Sequence, residues 1–346
     1  MIRLLLIVLL VVGQTATAWA GAFFDFQKGR QAAQRGEYDL AVRYYTRAIQ
    51  AGEFSQKNLA ITLNNRGNVY KKKGLYDRAI KDYDAAIRLK PDLAYAFNNR
   101  GNAYGDKGLY DRAIKDYDAA IRLEPDYVDA FFNRGNAYRD KGLYDRAIKD
   151  YGAAIRLKPD FVLAYRNRAS TYSTKGLYDR AIKDYNKAVR LKPDFALAYE
   201  GRGNTRFYLG HFSEAVRDHE RSLSIDPSDI YSALWLYLAR ERSRQDGRHE
   251  LARNAGKADL NGWPGPVVSL FLGKTTPQQV LAAAKDSDQR KQREQECEAF
   301  FYVGQYYLLR GNRGESARLF RKALDTGITG FYEYSGAKVE LKRLGN

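Results

Sequence analysis

Small and aromatic residues recur along this chain at one fixed spacing. The ten residues GLYDRAIKDY stand unchanged from Gly74, Gly108, Gly142 and Gly176, each start 34 residues after the last. Proline closes every unit in step, at Pro91, Pro125, Pro159, Pro193 and Pro227. Taking that proline as position 32, position 8 is Gly67, Gly101, Gly135, Ala169 and Gly203. Position 20 is Ala79, Ala113, Ala147, Ala181 and Ala215. Position 24 is Tyr83, Tyr117, Tyr151, Tyr185 and His219, and position 27 is Ala86, Ala120, Ala154, Ala188 and Ser222. Such a period predicts stacked helical hairpins before any other fold. Small residues at positions 8, 20 and 27 let two antiparallel helices approach closely, and aromatic residues at 11 and 24 fill the gaps. Gly74 and its equivalents end the first helix, where a left-handed backbone is easiest. The proline opens the connection to the next unit.

This pattern resembles the tetratricopeptide repeat, gapless from Ala60 to Ser228. The resemblance implies an all-α, tetratricopeptide-repeat superhelical solenoid. A degenerate unit precedes it, with Gly29, Gly36, Tyr38, Ala41, Tyr45 and Ala48 at the right offsets. Another lies near the C-terminus, where Phe300, Gly304, Tyr307, Gly311, Phe320 and Ala323 fit the scheme and Ser316 replaces the position-20 alanine. Between them the period disappears. Ile230 to Arg244 reads as an amphipathic helix, Arg248 to Asp259 as a weaker one, and Asn261 to Pro266 as a loop. Val267 to Leu272 reads as a short helix, Thr276-Pro277 as the start of one reaching Lys285, and Phe331 to Leu344 as the last. The expected organisation is a signal peptide over 1–20, a degenerate repeat over 21–59, five regular repeats over 60–227 and a C-terminal helical tail with a degenerate repeat over 228–346.

The signal reading rests on the first residues. Arg3 precedes an apolar run from Leu4 to Val12, and Ala18-Trp19-Ala20 supplies a small-x-small cleavage site. Nine apolar residues are too few to cross a hydrocarbon core about 30 Å thick. Cleavage after Ala20 and a periplasmic product without a stable membrane anchor are expected.

Composition narrows the chemistry. One cysteine, Cys297, excludes a disulfide scaffold and a cysteine-based metal cluster. Three histidines, His211, His219 and His249, leave few imidazole bases. His219 holds a packing position and reads as core. No nucleophile elbow, phosphate loop or HExxH motif occurs, so no enzyme, cofactor or metal is expected. The net charge of +17 favours acidic partners. Lys81, Arg88 and their copies fall on the outer side of the second helix and read as a solvated face. Export argues against nucleic acid.

Two polar patterns remain. Position 7 is Arg66, Arg100, Arg134, Arg168 and Arg202, and position 23 is Asp82, Asp116, Asp150, Asp184 and Asp218. A buried unpaired guanidinium would cost several kcal/mol, so one ion pair per unit is expected, with ligand binding as the other reading. Positions 2, 5, 6, 9 and 12 of the first helix line the inner face of such a solenoid, and 5, 6 and 9 are the polar ones of interest. They carry Asn64, Asn98 and Arg166, then Asn65, Asn99, Asn133 and Asn167, then Asn68, Asn102, Asn136 and Asn204. Carboxamides both donate to and accept from a peptide backbone, which makes these the candidate partner-binding residues. The alternative is ordinary repeat usage, satisfying neighbouring helices.

The tail carries a narrower resemblance. Leu234-Trp235-Leu236-Tyr237-Leu238-Ala239, Trp263 with Val268 and Phe271-Leu272-Gly273, and Phe301 to Leu308 are similar in order and spacing to the NlpI-type lipoproteins. That resemblance implies a periplasmic, non-enzymatic, dimeric adaptor that brings peptidoglycan hydrolases to a C-terminal-processing protease. No lipobox cysteine is present. The alternative function is an assembly or regulatory component of an envelope export system for polysaccharide or pili.

Overall fold

The computed structural model describes residues 20–345, and all of its regular elements are helices. The signal-peptide reading, apart from Ala20, lies outside the described residues. The chain divides into two compact units, Met1–Pro159 and Asp160–Asn346. This boundary falls inside the regular array.

The first unit is a run of helical hairpins. Its helices are α1 (20–34), α2 (Tyr38–Gln50), α3 (Gln56–Lys72), α4 (Tyr76–Leu89), α5 (Ala94–Asp106), α6 (Tyr110–Leu123), α7 (Val128–Asp140) and α8 (Tyr144–Leu157). Each odd helix packs against the even helix that follows, and each even helix against the next odd one. The sequence dictates the close approach. A Cβ on Gly101 would lie 2.7 Å from Tyr117 Cε1, so glycine is what lets the tyrosine ring lie against the α5 backbone. Ala113 and Ala120, one turn to either side of that ring, are fully buried. Gly108 ends the preceding turn with φ at 74°, a conformation that a β-carbon disfavours.

The expected ion pairs form in all five regular repeats. Arg66, Arg100, Arg134, Arg168 and Arg202 each grip the aspartate 16 residues later with Nε and Nη2, at 2.6–3.0 Å. The third nitrogen reaches back one hairpin. Arg100 Nη1 donates to Asp84 and Arg134 Nη1 to Asp118, both at 2.6 Å, and Arg66 Nη1 donates to Thr46 at 2.9 Å. One guanidinium therefore closes its own hairpin and registers it on the one before. A second, exposed ladder runs from Lys73 to Asp39, Lys107 to Asp77 and Lys141 to Asp111.

The second unit begins with two further repeats, α9 (Val162–Thr174) with α10 (Tyr178–Leu191), and α11 (Ala196–Leu209) with α12 (Phe212–Ile225). The tail follows as α13 (Ile230–Arg242), α14 (Arg248–Ala255), α15 (Gly265–Phe271), α16 (Pro277–Ala283), α17 (Gln289–Leu309), α18 (Arg313–Asp325) and α19 (Tyr332–Leu344). Trp235 is its centre, with ring centroids of Phe207 and Phe301 at 5.1 and 5.2 Å. Thr276 and Gln279 form a reciprocal capping box at the start of α16. The helix expected to reach Asp259 stops at Ala255, and α17 begins two turns earlier than its repeat pattern indicates. Asp288 starts α17 by accepting from the backbone N–H groups of Arg290 and Lys291. Cys297 is buried in α17 and its thiol is pushed up to about 12 by burial, so it is not a nucleophile.

Candidate functional site: the inner face of the first helices

Position 9 is held from behind by position 24. The hydroxyls of Tyr83, Tyr117 and Tyr151 donate to Oδ1 of Asn68, Asn102 and Asn136 at 2.7–2.8 Å. Burial raises the Tyr83 and Tyr117 hydroxyls well above their ordinary range, so both remain protonated donors. Each bond fixes the carboxamide with its oxygen turned inward, which leaves Nδ2 of Asn68 and Asn102 available to a ligand.

Positions 5 and 6 pair with each other. Asn99 Nδ2 donates to Asn64 Oδ1 and Asn133 Nδ2 to Asn98 Oδ1, each at 3.0 Å. Asn64 and Asn98 are consequently buried, so position 5 is not presented to a partner here. Asn65, Asn99 and Asn133 stay partly exposed. The neighbour-satisfying role accounts for the position-5 asparagines, and the candidate surface contracts to positions 6 and 9.

These groups line two cavities at equivalent places in the first unit. One, of about 310 Å³, is bounded by Arg30, Tyr38, Tyr45, Asn65, Asn68 and Lys72. The other, of about 340 Å³, is bounded by Lys71, Asn102, Asp106, Tyr110, Tyr117, Asn133, Asn136 and Asp140. Their charges differ. Arg30 and Lys72 make the first basic, whereas Asp106 and Asp140 outnumber Lys71 in the second, where Lys71 Nζ is 3.8 Å from Asp106. Positions 12, 13 and 17 therefore complete the site; sequence reasoning had placed position 12 on the inner face and overlooked 13 and 17. A signal was available at position 13, which runs Lys72, Asp106, Asp140 and Thr174 from unit to unit, whereas position 17 is aromatic in every regular unit.

In the second unit the inner positions behave differently. Arg166 Nη1 donates to Asn167 Oδ1 at 3.2 Å, and Asn167 is buried. Asn204 has no exposed surface and neither carboxamide atom has a partner. Its position-24 neighbour is His219, also fully buried, whose ring carries no hydroxyl to donate. Asn204 is thus removed from the binding set, since it cannot touch a partner without opening the core. A cavity of about 520 Å³ in this unit is lined by Glu200, Asp229, Tyr231, Trp235, Tyr332 and Glu333. Burial pushes Glu200 up to about 8, with the Asp229 charge adding and Arg166 opposing.

Repeat models bear on these same helices. The model described as a tetratricopeptide repeat matches residues 98–160, 132–196 and 166–230, and a second repeat model of the same kind matches 67–108. Residues 67–230 are tetratricopeptide repeats. The tetratricopeptide fold also recurs among solved structures. A tetratricopeptide repeat protein from Parabacteroides merdae ATCC 43184 is 18% identical, with 84% of this chain and 100% of that one covered and a TM-score of 0.52. MamA is 29% identical over 50% of this chain and 92% of its own, at a TM-score of 0.44. YrrB, titled a tetratricopeptide repeat protein with an unusual peptide-binding site, is 22% identical over 54% of this chain and 95% of its own, at 0.45.

Proposed function

We propose that this chain is a non-enzymatic adaptor whose inner face in the first unit holds an extended or helical segment of a partner protein. The observation that carries this reading is the repetition of one cavity at equivalent positions, each with an asparagine amide anchored by a tyrosine hydroxyl. A segment lying across both meets the same donors twice, and the change from a basic to an acidic cavity gives it a direction. We further propose that the adaptor works in the periplasm after cleavage behind Ala20. The resemblance of its tail to NlpI-type proteins supports a peptidoglycan hydrolase and a processing protease as partners, and a homodimer as its form.

Location is tested by the intact mass of the protein recovered from the periplasmic fraction. A chain starting at Gly21 is expected. One that retains residues 1–20, or carries a lipid, overturns the export reading.

The groove is tested by capturing a partner and titrating it against Asn68→Asp, Asn102→Asp and Asn136→Asp combined. Aspartate keeps an acceptor for each tyrosine hydroxyl and removes the outward amide donors of Asn68 and Asn102, so the hairpins stay closed. Each of those two hydrogen bonds is worth about 0.5–1.5 kcal/mol net, so the triple variant should bind roughly tenfold more weakly. Equal affinities, with both proteins melting normally, would move the site elsewhere. Alanine is the poorer probe, because it also orphans three tyrosine hydroxyls.

A further inference from the structure

The inner face of the second unit already has an occupant, and it comes from the chain itself. Positions 9, 13, 17 and 24 line both first-unit cavities. In the fourth and fifth repeats the same positions include Ser170, Tyr208, Tyr178 and Tyr185. Two rings take up the space there. Tyr208, at position 13, packs on Tyr178 with ring centroids 5.6 Å apart. Tyr332, the first residue of α19, enters from the tail. The Tyr208 hydroxyl donates to the Tyr332 carbonyl at 2.7 Å, and the Tyr332 hydroxyl stands among Arg166, Glu200, Tyr185 and Ser170. The far end of α19 is tied down as well, since Arg343 Nη2 donates to the carbonyls of Phe207 and Tyr208 at 2.9 and 2.8 Å.

The first unit has the same tyrosine walls without those two rings. Tyr38 and Tyr45 border one cavity, Tyr110 and Tyr117 the other. The residue equivalent to Tyr208 is Lys72 in the first cavity and Asp140 in the second, both exposed. A lysine or an aspartate there leaves the tyrosine walls open to water. A ring placed against them would gain buried apolar area and the offset or edge-on contact that aromatic pairs favour. Each cavity also offers that ring one amide donor, Nδ2 of Asn68 or of Asn102.

We propose that each first-unit cavity receives an aromatic side chain of the partner segment, as the second unit receives Tyr332. This rests on the reading of the inner face as a partner groove and names the residue type that the groove selects. The partner is a protein segment that presents aromatic side chains to successive cavities. Charge at the cavity rims orients it, and the rings supply most of its affinity.

The probe is a synthetic peptide of residues 327–345, which carries Phe331, Tyr332 and Tyr334. It is titrated against residues 21–346, beside a copy in which those three residues are alanine. The aromatic peptide should bind at least about tenfold more tightly than the alanine copy. Lys72→Tyr with Asp140→Tyr places a ring in each cavity, as Tyr208 does in the second unit. That variant should bind the aromatic peptide at least about tenfold more weakly than Lys72→Gln with Asp140→Asn, which removes the same charges and adds no ring. Both positions are exposed, so both variants should melt as the parent does. The inference is overturned if the aromatic peptide shows no saturable binding below about 1 mM, or if the alanine copy binds equally. It is also overturned if the two double variants bind alike, as they would if the peptide only displaced α19 from the second unit. It falls alone if the captured partner still responds to the combined Asn→Asp changes. If that response is absent too, the groove reading falls with it.

Discussion

Asp116→Ala should destabilise the first unit by roughly 2–4 kcal/mol, more than any surface change in the array. The reason is asymmetry rather than pair strength. The Asp116 carboxyl is raised because burial outweighs the opposing pull of Arg100. Desolvation thus consumes much of what the bidentate bond returns. Removing the aspartate recovers none of that balance, since Arg100 remains with its side chain 19% exposed and only Asp84 to face. Arg100→Met with Asp116→Ala should therefore be less destabilised than the sum of the two single changes. Urea unfolding of the four proteins measures this. A loss below about 1 kcal/mol for the single aspartate change would show that the pair is decorative. The pair's role is register: its third donor ties each hairpin to the preceding one, and that coupling makes neighbouring repeats unfold together.

Stability of the second unit should fall as pH rises from 5 to 9, and Glu298→Gln should remove much of the fall. Glu298 is 6% exposed and accepts Tyr231 Oη at 2.9 Å and Trp263 Nε1 at 2.6 Å, both on Oε2. Burial, and then the charge of Glu333, pushes its carboxyl up to about 8. Glu333 is raised too, chiefly by burial, although Tyr302 and Trp235 donate to it at 2.8 and 3.3 Å. A raised folded pKa places the sign. The contribution is complete below the unfolded value near 4.5 and is lost as pH climbs through about 8. At about 1.4 kcal/mol per pH unit, that gap bounds the loss from this one group near 5 kcal/mol. Glutamine keeps an acceptor and never ionises, so its unfolding midpoint should change much less over the same range. His219 opposes the first part of this fall, up to about pH 6.5. Burial lowers it to about 3, so its contribution is present above about 6.5 and declines as pH falls toward 3. A parent protein whose midpoint is flat from pH 5 to 9 would contradict this account.

Much of this molecule was legible in one dimension because a repeat states its local rules several times. Gly101 against Tyr117, Gly108 at the turn and Arg100 on Asp116 follow from spacing, since a hairpin of fixed length brings fixed positions together. The same logic placed His219 in the core, while local capping signals, outside the repeat, placed the helix breaks at Gly273 and Thr276. Spacing could not say which atoms of a side chain are already engaged. Asn64 and Asn68 look alike in sequence, yet one is sealed by Asn99 of the next hairpin and the other is braced by Tyr83 with its amide left free. That difference arises between helices 35 and 15 residues apart, where only packing fixes distances of 3 Å. Nor could it reveal that Glu200, Glu298 and Glu333 lose their water, because they come from α11, α17 and α19 and meet only in the fold. The sequence by itself determined the hairpin, its turns and its ion pair, which are local and repeated. Tertiary structure decided which polar groups remain available, because desolvation and hydrogen-bond partnership are properties of neighbours that lie far apart along the chain.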